Sequence, residues 1–289
     1  MTSLAIPEQL REHEGLHRFH EIGLTLPLER PSGRVAARLW NQSYKSEHML
    51  GLGSDICGAV SSRAILDNPK AIVSVDLDEV TRHMMMGIVN ASNVSGDYRT
   101  FANYDVLFGV TEGDPVLVPT VKGFAHLDAA PIDEDIDSIN GILRKAKSAG
   151  AIVLLNTASL EGTEEGTMKT LHRISPDVYD GFIFTGHYTQ EKPKKKGEAV
   201  REVVNLALAC NDDPALTTIV KIDDSSPNLH GMRAVIDEIR EQGLPLAYTD
   251  YSPRMGWNVE DKSLNIVEKP VDAFSSALEF IITNTERAA

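Results

Sequence analysis

From about residue 46 the chain alternates between short apolar, β-branched runs and longer stretches in which apolar residues recur every three to four positions. The runs occupy residues 48–52, 71–75, 123–127, 151–155, 181–184, 217–222 and 245–248. The clearest intervening stretch covers residues 134–150, where Ile136, Ile139, Ile142, Leu143 and Ala146 fall on one face. Acids open that stretch, lysines close it and Gly150 stops it, the polarity expected of a helix with its dipole satisfied at both ends. Short buried strands joined by amphipathic helices predict an α/β fold: a three-layer sandwich with a mostly parallel sheet covered on both faces. In such sheets, sites form at the C-terminal ends of the strands.

The pattern is weaker elsewhere. Between about residues 91 and 122 the helical periodicity fails, and residues 114–123 read as a β-hairpin or a cap-like insertion. Residues 1–45 are mixed. His13, His17 and His20 share one face of a short amphipathic helix, which reads as a solvated face before it reads as a metal site. Pro27, Pro31 and Ser32-Gly33 then mark a loop. The expected division is an N-terminal segment at 1–70, a first core strand with a cap or insertion at 71–133 (or part of a separate N-terminal domain), and an α/β core at 134–289.

Composition narrows the function. The 289 residues are 42% hydrophobic, enough for a sizeable core. No apolar run approaches the ~20 residues that span a bilayer, and the first residues lack a basic stretch followed by an apolar one. Two cysteines far apart argue against a disulfide framework and against a cysteine zinc site. A cytoplasmic protein with no membrane partner is expected. The net charge of −14 argues against a broad nucleic-acid surface, while leaving open a small nucleotide bound through a metal. Oligomeric state is not legible.

The most informative stretch is residues 217–226, an apolar run ending in Asp223 and Asp224. Adjacent acids just past a buried strand repel one another and resist desolvation. A bound cation relieves that cost, and Mg²⁺, a hard ion that takes carboxylate oxygens and retains waters, suits it. The competing reading is a solvated loop whose aspartates cap the next helix. Three other strand ends carry polar groups: Asp76 and Asp78 after 71–75, Asn156, Thr157 and Ser159 after 151–155, and the segment from Thr185 to Lys192-Pro193.

With these motifs in this order, the chain resembles the haloacid dehalogenase-like (HAD) hydrolase superfamily, most fully over residues 134–289. The resemblance implies a HAD-like Rossmannoid core and an Mg²⁺-dependent phosphohydrolase working through an aspartyl-phosphate. It implies Asp76 as nucleophile and metal ligand, Asp78 as acid/base, Thr157 and Lys192 on the phosphoryl oxygens, and Asp223 and Asp224 as metal ligands. One departure is that Asn156 stands where the family's hydroxyl usually follows the strand, so Ser159 is a substitute for Thr157. A second register is open: if the first core strand is 123–127, His126 replaces the nucleophile and Asp128 is a lone acid. Asp76 is preferred on chemical grounds. His126 otherwise reads as a hydrogen-bonded core histidine, and Met84–Met86 as a filler of core gaps.

Two rivals remain. Gly51, Gly53 and Gly58 followed by a helix, with Asp76 at the next strand end, resemble the glycine loop and ribose-binding acid of Rossmann-like S-adenosylmethionine-dependent methyltransferases. A non-catalytic HAD-like binding or assembly module is the other, argued from His126.

Overall fold

The computed structural model describes residues 49–52, 57–84, 86, 130–158, 170, 173–174, 176–185 and 192–287. His13, His17, His20, His126, Asp128, Ser159 and the stretch at 91–122 lie outside them.

Among the described residues one eight-stranded sheet runs in the order β1-β2-β5-β4-β3-β6-β7-β8. Its strands are β1 (Met49–Gly51), β2 (Cys57–Ser61), β3 (Ala71–Val75), β4 (Ala151–Thr157), β5 (Gly181–Phe184), β6 (Thr218–Ile222), β7 (Ala247–Pro253) and β8 (Ile266–Val267). The strands from β5 across to β8 are parallel, and β1 and β2 form an antiparallel edge. The helices are α1 (Ser62–Leu66), α2 (Ile136–Ser148), α3 (Lys192–Ala209), α4 (Ser226–Glu241) and α5 (Pro270–Arg287).

Strand alternation sorts the core into two layers. Val73, Val75, Val153, Leu155, Val220 and Ile222 face α2 and α5, meeting Ile139, Leu143, Phe274 and Ile281. Ile72, Ile152, Leu154 and Ile219 face α3 and α4, meeting Val200, Val203, Val235 and Ile236. Strands buried on both faces read as unbroken apolar runs, which is why the sequence signalled them. The helix expected over 134–150 is α2, closed by Gly150 at φ +88°, a left-handed conformation that glycine adopts without a Cβ penalty. Of the run Met84–Met86, read as core filler, Met84 is buried and Met86 half-buried.

The sheet differs from the sequence reading at its edge. Residues 57–61, read as the end of a glycine loop leading into a helix, form β2, which pairs antiparallel with β1 and β5. A dinucleotide-type glycine turn needs a helix directly after the strand, with its N-terminus on the ligand. Here a second strand, β2, intervenes after β1, and the helix that follows it, α1, is five residues long, so the stretch read as one glycine loop before a helix contains an edge strand instead. The strands β1 and β2, which fall within the N-terminal segment 1–70, lie in the same sheet as the core.

Topology fixes where a site can form. From β3 the chain proceeds to β4 and β5 on one side, then crosses to β6 and β7 on the other. The strand order therefore reverses between β3 and β6, and a crevice opens at their C-terminal ends. Asp76 follows β3, and Asp223 follows β6.

α3 and α4 pack closely at Gly197. A Cβ built there would stand 2.7 Å from Val235 Cγ2 and 3.0 Å from Val235 Cβ. Gly197→Ala is expected to lower stability by about 1–3 kcal/mol through overpacking. Urea denaturation measures this, and adding Val235→Ala should recover part of the loss.

Candidate functional site

Three aspartates converge at the switch point. Asp76, Asp223 and Asp224 each present a carboxylate oxygen, all within 4.8 Å of one another. All three are buried. Three buried like charges this close are untenable unless cations or protons intervene.

Two lysines supply part of the compensation. Lys196, on the first turns of α3, places Nζ 2.7 Å from Asp223 Oδ2 and 2.8 Å from Asp76 Oδ2. Lys221, inside β6, places Nζ 3.0 Å from the same Asp223 oxygen. Both lysines are fully buried. Asp223 Oδ1 in turn accepts from Ser225 N and Asn228 Nδ2. Oδ1 of Asp223 thus accepts from two donors, while Oδ2 accepts from Lys196 and has the Lys221 ammonium beside it as an ion pair, so this acid anchors the lysines.

The charge states follow from these partners. Burial would raise the Asp223 carboxyl, but Lys196 and Lys221 hold it well below the ordinary carboxylate range. Burial and Asp223 push Asp76 up to about 6, against the pull of Lys196 and Lys221. Asp224 is raised well above the ordinary range by burial, then by Asp223, Asp76 and Glu79. Burial penalises charge on Lys196, yet Asp223 and Asp76 raise it overall. Lys221 is lowered, burial being the leading cause.

Lys196 is held from behind. Asn156 Nδ2 donates to Lys196 O and to Ser74 Oγ, tying α3 to β4 and β3. The residue that broke the expected motif therefore faces α3 and positions the lysine-bearing turn. Continuing the ladder beyond Val75↔Leu155 sets Asn156, not Thr157, level with Asp76. Thr157 is fully buried at the end of β4, where its carbonyl accepts from Thr185 N and Oγ1.

The turn after β3 is tightly built. Asp76 Oδ1 accepts from Leu77 N. Asp78 Oδ1 accepts from Arg82 Nε at 2.6 Å, while Arg82 Nη1 donates to Thr170 Oγ1. Arg82 is fully buried. Between them Glu79 adopts φ +61°, unusual for a side chain with a Cβ. Backbone strain of this kind persists only where its surroundings over-determine it. His83 Nε2 lies 2.9 Å from Asp133 Oδ2, and Nδ1 lies 3.8 Å from Glu79 Oε2. Burial opposes charge on His83, but Asp133 and Glu79 outweigh it and push the imidazole up to about 9. The turn is thereby clamped to the segment leading into α2.

Of the residues singled out from sequence, the structure brings Asp76, Asp223 and Asp224 together and sets Asp78 two residues along the same turn. Lys192 opens α3, and its side chain lies outside the described residues. The lysine on the aspartates is Lys196, one helical turn later. Lys196, Lys221 and Arg82 were not anticipated, and Asn156 was read only as a departure from the motif. The donor set fits a hard divalent cation: carboxylate oxygens, with Asp224 lacking any cationic partner among the described residues. Asp76, Asp223 and Asp224 together could hold such an ion, and Asp223 is the one of the three most heavily engaged by lysines.

No protein-family model matches the chain, and no curated protein matches it. Among solved structures, a dehalogenase is similar at 12% identity, covering 73% of this chain and 97% of that one, with a TM-score of 0.43. The HAD domain of effector protein Lem4 from Legionella pneumophila is similar at 13% identity, covering 77% and 99%, with a TM-score of 0.39. Likenesses of this size carry no argument about activity. No helix among the described residues is long and apolar enough to cross a membrane.

Adjacent aspartates should respond oppositely to neutralisation. Asp223→Asn takes the ion-pair partner from buried Lys221 and leaves Lys196 to Asp76 alone, and is expected to cost about 3–5 kcal/mol. Asp224→Asn keeps an acceptor in place and removes repulsion, so stability without divalent metal should hold or rise. Urea denaturation in chelator measures both.

Proposed function

We propose that the chain is a HAD-like, Mg²⁺-dependent phosphohydrolase that cleaves a small phosphorylated metabolite, such as a nucleotide or sugar phosphate, through an aspartyl-phosphate on Asp76. The observation that carries this reading is the meeting of Asp76, Asp224 and Lys196 at the switch point. The reading is supported by an acid after β3, an acid after β6 with no ion-pair partner among the described residues, and a buried ammonium, all in one crevice.

Asp76 is the nucleophile. In the first half-reaction its carboxylate oxygen forms a bond to phosphorus as the bond to the leaving oxygen breaks. Asp78 gives that oxygen a proton. Its contact with Arg82 uses Oδ1, so Oδ2 is the oxygen for proton transfer. In the second half-reaction Asp78 takes a proton from water, the water oxygen bonds to phosphorus, and Asp76 is released as carboxylate. Lys196 bridges Asp76 and Asp223 and stands where negative charge builds on the phosphoryl oxygens. Thr157 at the end of β4 is the candidate hydroxyl donor. Asp76 and Asp224 would hold Mg²⁺, which when bound neutralises phosphoryl charge in the transition state. The acidic chain offers little to a polyanionic nucleic acid, consistent with a small substrate whose charge the metal and lysine meet locally.

Release of p-nitrophenol from p-nitrophenyl phosphate is expected in Mg²⁺ and not in chelator. Asp76→Asn should lower kcat by about a thousandfold or more while leaving the circular dichroism spectrum unchanged. Turnover that persists in the variant would reject Asp76 as nucleophile. Absence of turnover in the wild-type protein with any phosphate monoester would reject the hydrolase.

A further inference from the structure

Asp224 differs from its two neighbours in how it is held. Asp76 and Asp223 both meet lysine, whereas among the described residues the side-chain donor on Asp224 is the indole of Trp257. Trp257 Nε1 lies 3.1 Å from Asp224 Oδ2 and 3.1 Å from Asp224 O. The indole N–H donates only, and it carries no charge at any accessible pH. It can orient a carboxylate without cancelling its negative charge, which an ammonium in the same place would do.

The loop that carries Trp257 is itself fixed to the site. Asn258 is buried, and its Nδ2 donates to Asp224 O, Ser252 Oγ and Pro253 O. Its Oδ1 accepts from Met255 N. The residues after β7 are therefore tied back to the end of β6, and Trp257 reaches Asp224 from a rigid support. The ring is half-buried, with its N–H on Asp224.

We infer that Trp257 is a positioning residue for the cation site, holding the Asp224 carboxylate beside Asp76 while leaving its charge for a divalent ion. This rests on the reading of Asp76 and Asp224 as metal ligands. The role is distinct from catalysis: Trp257 acts through Asp224.

The test is calorimetric titration of the full chain with Mg²⁺, with no substrate present. Trp257→Phe keeps the aromatic body and removes the N–H, so it should bind Mg²⁺ about five- to tenfold more weakly, with an unchanged melting curve in chelator. Unchanged affinity in that variant would overturn the inference while leaving the metal site standing. A second readout does not depend on the variant folding. The chain has two tryptophans, the other being Trp40. In Trp40→Phe the remaining emission should change with Mg²⁺ at the calorimetric midpoint, and emission indifferent to Mg²⁺ would count against contact between Trp257 and the site. Wild-type protein that binds no Mg²⁺ at millimolar concentration would overturn both this inference and the metal site beneath it.

Discussion

Two lysine ammoniums share one carboxylate at the end of β6. Asp223 receives Lys196 from α3 and Lys221 from within its own strand, each at about ion-pair distance on the same oxygen. Burying any one of these three charges alone would cost several kcal/mol. Together, with Asn228 and Ser225 completing the hydrogen bonds of Asp223, they form a rigid and largely compensated group. Its consequence lies next door. With Asp223 and Asp76 on lysines, the acid left without an ion-pair partner among the described residues is Asp224. An acid held in that state is suited to a ligand that brings its own positive charge.

The sheet delivers this arrangement with little freedom. Asp76 and Asp223 follow the two strands between which the strand order reverses, so their carboxylates meet with no helix or loop between them. α3 crosses from β5 to β6 and must pass this crevice. Gly197 lets it approach α4, and Asn156 holds its backbone at Lys196. The clamp of His83 between Asp133 and Glu79, with Arg82 on Asp78, secures the other wall. The site thus hangs on elements whose positions are set by two separate apolar layers.

Much of this was legible before any coordinates. The strands at 71–75, 151–157, 181–184 and 218–222 announce themselves because both faces are buried, and α2 because its apolar face is unbroken. Asp76, Asp223 and Asp224 were legible because acids directly after such strands are anomalous. β2 was hidden: Cys57-Gly-Ala-Val-Ser61 is short, contains glycine, and pairs with β5 over a hundred residues later. Lys196 was masked by a run of lysines and a resemblance that pointed to Lys192. Yet its spacing from Val200, Val203 and Ala207 continues the buried stripe of α3, and that periodicity singles it out. Lys221 carried a signal too, since a lysine inside a β-branched strand shares a face with the residue two further on, Asp223. Trp257 and Arg82 act through loops and turns, where no period marks which side chain turns inward.

The central claim is a division of labour: Asp223 anchors lysines, and Asp76 with Asp224 is left to the cation. Anomalous diffraction from crystals soaked in Mn²⁺ addresses it directly. The account predicts a peak liganded by Asp76 and Asp224, with both lysine contacts to Asp223 retained. A peak coordinated by Asp223 with a lysine displaced, or no peak among the three aspartates at millimolar Mn²⁺, would contradict it.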